Sequence, residues 1–139
     1  MKYFAVIDTN VVVSAFLKRN SIPDTLLDLA LSGIIIPLLS DEIVREYKEV
    51  LSREKFGFGI DLVNDFISEI SERGMFLSAD KSNVEFIDNK DKVFYEITME
   101  KRKTSDAYLV TGNIKHFPKE PFIVTPREML KIIVKNNSD

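Results

Sequence analysis

Four short stretches hold the residues best suited to chemistry. They are "IDTN" with Asp8 and Asn10, "REYKE" with Glu46, "DNKD" with Asp88 and Asp91, and "VTGN" with Thr111 and Asn113. The chain has no cysteine and a single histidine, His116, which excludes disulfide frameworks, thiolate zinc sites, cysteine nucleophiles and two-histidine metal motifs. Oxygen ligands are what remains, and they suit Mg²⁺ or Mn²⁺. Carboxylates converging in one cleft repel each other unless a cation neutralises them. Such a cation can deprotonate a water and neutralise charge developing on a phosphodiester oxygen. An acidic cleft of this kind needs the metal before it can accept an anionic substrate.

Each acid also has a structural reading. Asp8 interrupts two apolar runs in "FAVIDTNVVVSAF", and an aspartate between a strand and a helix can cap the helix. Asn10 is a second candidate cap, which would free Asp8 to face a ligand. In "SDEIVREYKEVLSREKF" the apolar face is Ile43, Val44, Tyr47, Val50 and Leu51. Glu46 falls on the rim of that face, whereas Glu42 and Glu49 turn toward solvent. The competing role for this helix is a solvated surface with Glu46 or Glu49 paired to Arg53. Asp88 and Asp91 precede an apolar helical pattern and suit N-terminal capping. Glu96, five residues after Asp91, could approach the same edge, but it is read as a surface residue. Lys101, Arg102 and Lys103 end a helix and complement its dipole.

The elements that must position these groups alternate. Residues 2–7 and "IIIPLL" at 34–39 are buried-strand patterns, separated by the helical "SIPDTLLDLALSG" with Gly33 as its cap. Ser40 caps the next helix, the "FGFG" glycines interrupt it, and "IDLVNDFISEISERG" forms another helix ending at Gly74. "MFLS" is a candidate third strand. Then follow a helix in "DKVFYEITMEKRK", a strand in "AYLVTGN", a strand and terminal helix in "PFIVTPREMLKIIVK", and a frayed "NNSD". This alternation predicts a three-layer α/β/α domain with a central, mainly parallel sheet over residues 1–139. Ligands bind at the carboxyl ends of such strands, where both Asp8 and Asn113 fall.

Composition sets the outer bounds. Hydrophobic residues at 45% and charged residues at 29% describe a globular chain. The acid at Asp8 arrives too early for a signal peptide, and no run approaches the ~20 apolar residues of a membrane span, so a cytoplasmic protein is expected. A net charge of −3 leaves nucleic-acid contact to a local patch or to bound cations.

Taken in order, "VIDTNVVVSAF", "SDEIVREYKEVLSREKF", "DNKDKVFYEITM" and "SDAYLVTGNIKHFP" resemble the PIN-domain family over about residues 3–127, especially the VapC-like toxin components of toxin–antitoxin systems. The resemblance implies a compact α/β/α endoribonuclease that uses Mg²⁺ or Mn²⁺ and hydrolyses RNA, restrained by an antitoxin protein. Carried over by motif, Asp8, Glu46 and Asp91 are its catalytic, metal-binding acids. Asn113 takes a fourth metal position that is acidic in many relatives, and Asp88 is peripheral. Asp106 is displaced by one position from the usual "AD" and is not counted as a ligand. Asn10 and Thr111 are supporting residues that orient acids or waters. Lys115 and His116 are candidate RNA contacts. The "IDLVNDFISEI" helix could offer a homodimer or antitoxin groove, core packing being the alternative. Two other functions stay in view. One is a PIN-like module that binds RNA or protein with weak or lost cleavage, motivated by Asn113. The other is a phosphotransfer domain, against which stands the missing second aspartate in "DTN".

Overall fold

The structure, a computed structural model, describes residues 1–137. Its strands are β1 (Tyr3–Ile7), β2 (Ile35–Leu39), β3 (Met75–Phe76), β4 (Ala107–Val110) and β5 (Ile123–Val124). Its helices are α1 (Thr9–Leu17), α2 (Ile22–Ser32), α3 (Asp41–Leu51), α4 (Ile60–Arg73), α5 (Lys92–Arg102) and α6 (Pro126–Asn137). All strand pairs are parallel, in the order β3-β2-β1-β4-β5, and the helices cover the sheet in a three-layer α/β/α arrangement.

The apolar runs became strands because the sheet is covered on both faces, which suits continuous rather than alternating hydrophobic sequence. Ala5, Val6, Leu38, Leu39, Leu109 and Val110 are wholly buried, and one core cluster extends from Tyr3 to Ile133. "MFLS" contributes only two residues of strand, with the Leu77 amide adding one hydrogen bond to the Leu39 carbonyl. Helix starts follow local chemistry. Ser40 accepts from the Ile43 amide at 3.1 Å, and Thr125 and Glu128 each accept the other's amide at the start of α6. Gly33 ends α2 as expected.

At the terminus, Asn136 and Asn137 continue α6 rather than fraying, and Asn137 donates to the Ile133 carbonyl. The expectation for Ser138 and Asp139 lies outside the described residues. Among the described residues no helix is long and apolar enough to cross a membrane.

The strand order creates a place for a site. From β1 the chain steps to β2 and β3 on one flank, then crosses through α5 to β4 on the other. Connections leaving β1 and β4 therefore diverge, opening a crevice at their carboxyl ends. Asp8 and Thr111 are the first residues beyond those two strands.

Candidate active site

Asp8 is built into the end of the sheet. Its amide donates to the Val110 carbonyl at 2.9 Å, adding a rung to the β1–β4 ladder, and the residue is only 5% exposed. It occupies the N-cap position of α1, but its side chain makes no capping hydrogen bond. Instead its Oδ2 accepts from the Thr111 hydroxyl at 2.7 Å and from Asn10 Nδ2 at 3.1 Å. Thr111 Oγ1 in turn accepts from the Asn113 amide at 2.9 Å. Asn10 is therefore not a cap. It lies inside α1, and its Oδ1 accepts from the Gly112 amide, tying the helix to the turn after β4.

Glu46 reaches the same crevice from α3. Its Oε2 accepts from the Thr9 hydroxyl at 2.7 Å, while Glu49, one turn further out, pairs with Arg53 at 3.0 Å. The surface pairing thus belongs to Glu49 alone. Tyr47, read from sequence only as part of the apolar face, also has a polar task. Its buried hydroxyl donates to the Ile7 carbonyl, immediately before Asp8. Neither Tyr47 nor Thr9 stood out in the sequence. Their side chains are ordinary, and only the docking of α3 on β1 supplies their partners.

Asp91 arrives at the start of α5 and, like Asp8, occupies an N-cap position without capping. Its Oδ2 is buried with no hydrogen-bond partner and lies 3.4 Å from His116 Nδ1. Asp88 does cap, accepting from the Lys90 amide at 2.9 Å. Asp8, Asn10, Glu46, Asp88, Asp91, Asn113 and His116 line one cleft of about 390 Å³, together with Thr9, Arg53, Phe56 and Lys90. Lys115 is exposed and does not line the cleft, whereas the cations Arg53 and Lys90 do.

Glu96 corrects the expectation of a surface role. It is 8% exposed and accepts from the Ser82 amide, which pins the segment after β3 against α5. Lys101 and Arg102 do occupy the last turn of α5, and they also cover the rings of Phe4 and Phe122 at 4.2 Å each.

The cleft holds its acids under electrostatic tension. Burial pushes the Asp8 carboxyl up to about 6, opposed by the Thr111 hydrogen bond and reinforced by the Asp91 charge. Glu46 is raised by burial, opposed by Thr9 and Lys90, with Asp91 and Asp88 adding repulsion. Asp91 is raised by burial and by Asp88, and His116 pulls it back. The Tyr47 hydroxyl is held well above its ordinary range by burial and by both Asp8 and Glu46, so it stays protonated and a donor.

This donor set fits a hard cation. It is all oxygen, carries excess negative charge and includes an orphaned carboxylate oxygen on Asp91. Among the described residues no three His, Cys, Asp or Glu side chains stand arranged as a ready cage. Mg²⁺ does not require one, since it keeps several waters and commonly takes one or two carboxylates.

A parallel sheet whose switch point gathers acids from three separate elements defines an α/β domain built around an acidic cleft. A family model described as PIN domain matches residues 5–115, and the chain belongs to that family, whose members are generally nucleases. The match is shorter than the resemblance over 3–127. It includes Asp8, Glu46, Asp91 and Asn113 and stops one residue before His116. A search of curated proteins finds no match.

Proposed function

We propose that the protein is a metal-dependent endoribonuclease that hydrolyses RNA phosphodiesters with Mg²⁺ or Mn²⁺, and that it acts as the toxin of a toxin–antitoxin pair. The observation that carries the catalytic reading is the convergence of Asp8, Glu46 and Asp91 in one cleft, with the pKa of each raised by burial and by other acids. Asp8, Glu46 and Asp91 would hold the cation, and the Asn113 amide oxygen could add a neutral donor. When bound, the cation supplies an acidified water and neutralises charge on the phosphodiester.

The chain's own residues do the positioning. Thr111 and Asn10 both bind Oδ2 of Asp8, fixing the plane of that carboxylate. Thr9 fixes Glu46 through one oxygen. Asn113 is joined to Asp8 through the Thr111 hydroxyl, so the fourth position moves with the first. The toxin role is supported by the "YLVTGN" and "HFP" segments that resemble VapC-like proteins.

The test is cleavage of RNA by purified protein with Mg²⁺, with Mn²⁺ and with excess chelator. Metal-restricted cleavage supports the reading, and undiminished cleavage in chelator sinks the mechanism. Asn113, exposed where many relatives carry an acid, favours a second reading as a binding module. RNA retention without cleavage in either metal would select it. Growth arrest on expression, relieved by a protein encoded beside this one, tests the toxin role.

A further inference from the structure

One wall of the acidic cleft is aromatic. Phe56 lines it beside Arg53, on the 3-10 turn Glu54–Phe56 that follows α3. The next residue, Gly57, takes a left-handed φ of 65°, which side-chain-bearing residues rarely adopt. On either side of that glycine, Phe56 and Phe58 stack at 5.5 Å and 10°. The "FGFG" stretch is thus a device for pairing two rings, as well as an interruption between helices. Behind the pair the rings continue inward, Phe58 on Phe16 at 5.2 Å and Phe16 edge-on to Phe66 at 5.1 Å. Phe66 meets Tyr47, whose hydroxyl holds the strand end before Asp8. Phe56 is therefore the half-buried outer member of an aromatic series anchored in the core.

Two cations stand beside this ring, with the cleft's acids on the other walls. Lys55 Nζ lies 5.1 Å from its centroid on an exposed, flexible stem, and Arg53 is held in place by Glu49 at 3.0 Å and 3.3 Å. A rigid aromatic ring flanked by cations, in a cleft suited to a phosphodiester, is the combination that stacks a base while holding its phosphates.

We infer that Phe56 is a nucleobase-stacking shelf, on which a base of the bound strand lies while Arg53 and Lys55 take the adjoining phosphates. This rests on the nuclease reading for the substrate's class, but the shelf has its own readout. A base sliding onto the ring displaces the Lys55 ammonium, which then faces phosphate.

The chain contains no tryptophan, so Phe56→Trp places a single indole at the shelf. The probes are tetra-adenylate and an abasic tetramer with the same phosphates, mixed with protein and Mg²⁺ and read before cleavage. Stacking predicts that tetra-adenylate quenches the emission by about half and the abasic tetramer barely changes it. Leu62→Trp, on the exposed side of α4, should respond to neither. In steady-state cleavage, Phe56→Ala should raise KM about tenfold with little change in kcat. Phe56→Leu keeps the apolar bulk and should resemble Phe56→Ala, while Phe56→Tyr restores KM. Rescue by leucine would make Phe56 a packing residue and overturn the shelf. Equal quenching by both tetramers, or none by tetra-adenylate, also overturns it. A protein that cleaves no RNA but shows base-dependent quenching keeps the shelf and loses the nuclease reading. Cleavage with an unmoved KM in Phe56→Ala does the reverse.

Discussion

The two ends of α5 make opposite use of charge. At its start, Asp91 has a buried oxygen without a hydrogen bond and faces further acids across the cleft. At its end, Arg102 donates to the Ala107 carbonyl at 2.7 Å and covers Phe122, while Lys101 covers Phe4. Both ends have the sign that complements the helix dipole, so that effect cannot explain the contrast. The difference lies in partners. The cations at the amino edge of the sheet are satisfied by the fold, whereas at its carboxyl edge Asp8, Glu46 and Asp91 crowd together with raised pKa values and Asp91 keeps one buried oxygen without a hydrogen bond. Incomplete satisfaction of buried charge is costly and persists at sites of function.

The sharpest way to break this contrast is Asp8→Asn. The substitution nearly preserves shape and can still accept from Thr111, but it removes charge. Cleavage should fall at least about a hundredfold, since even residues supporting a metal ligand commonly contribute 10- to 100-fold. Asparagine and aspartate rank together as caps, so full activity with unchanged metal affinity would return Asp8 to a structural role.

Thr111→Val probes the support itself. It removes the hydroxyl linking Asn113 to Asp8 and should cost about 10- to 100-fold in metal affinity or cleavage. Isothermal titration with Mn²⁺ would check it, and unchanged affinity would show the linkage to be incidental.

The unmet charge should also appear as pH dependence. Asp8 ordinarily titrates at 3.8 and is pushed up to about 6 in the fold, so the folded state binds its proton more tightly than the unfolded state does. Protonation therefore favours folding. Above the folded pKa the charged, buried carboxylate subtracts about 1–3 kcal/mol from stability, and this penalty disappears as pH falls from 6 toward 4. Metal-free protein should melt about 5 °C higher near pH 5 than near pH 8, and Asp8→Asn should lose most of that difference. Glu46 and Asp91 are raised in the same direction and should account for a remainder. A wild-type profile that falls on acidification across this window would contradict the assignment.

At the satisfied end, Arg102→Ala removes one hydrogen bond and one ring contact. It should cost about 1–2 kcal/mol in denaturant unfolding and leave cleavage unchanged. A large loss of activity there would erase the distinction between the two ends.

The sequence made one half of this contrast readable. Asp8 was visible because a carboxylate interrupts an apolar run, and Glu46 because helical geometry separates it from Glu42 and Glu49. The major strands followed from β-branched apolar runs. What escaped depends on partners far along the chain. Asn10 looks like a cap until the turn after β4 supplies its acceptor's donor at Gly112. Glu96 looks solvated until the segment after β3 folds over it. Tyr47 looks merely apolar because its hydroxyl finds the Ile7 carbonyl only after α3 docks. Lys115 is close to Asn113 in sequence but outside the cleft lining, which takes its cations from Arg53 and Lys90.

The Thr111–Asp8 hydrogen bond closes a loop of chain 103 residues apart in sequence. During translation, the acid that follows the first strand leaves the ribosome well before its partner, and its seat is not finished until β4 and the turn beyond it have emerged. A nascent chain truncated anywhere before that point lacks the Thr111 hydroxyl and the Asn113 amide behind it. The cleft is thus completed only after both flanks of the sheet have been made, and until then the growing chain carries its first acid without the finished site.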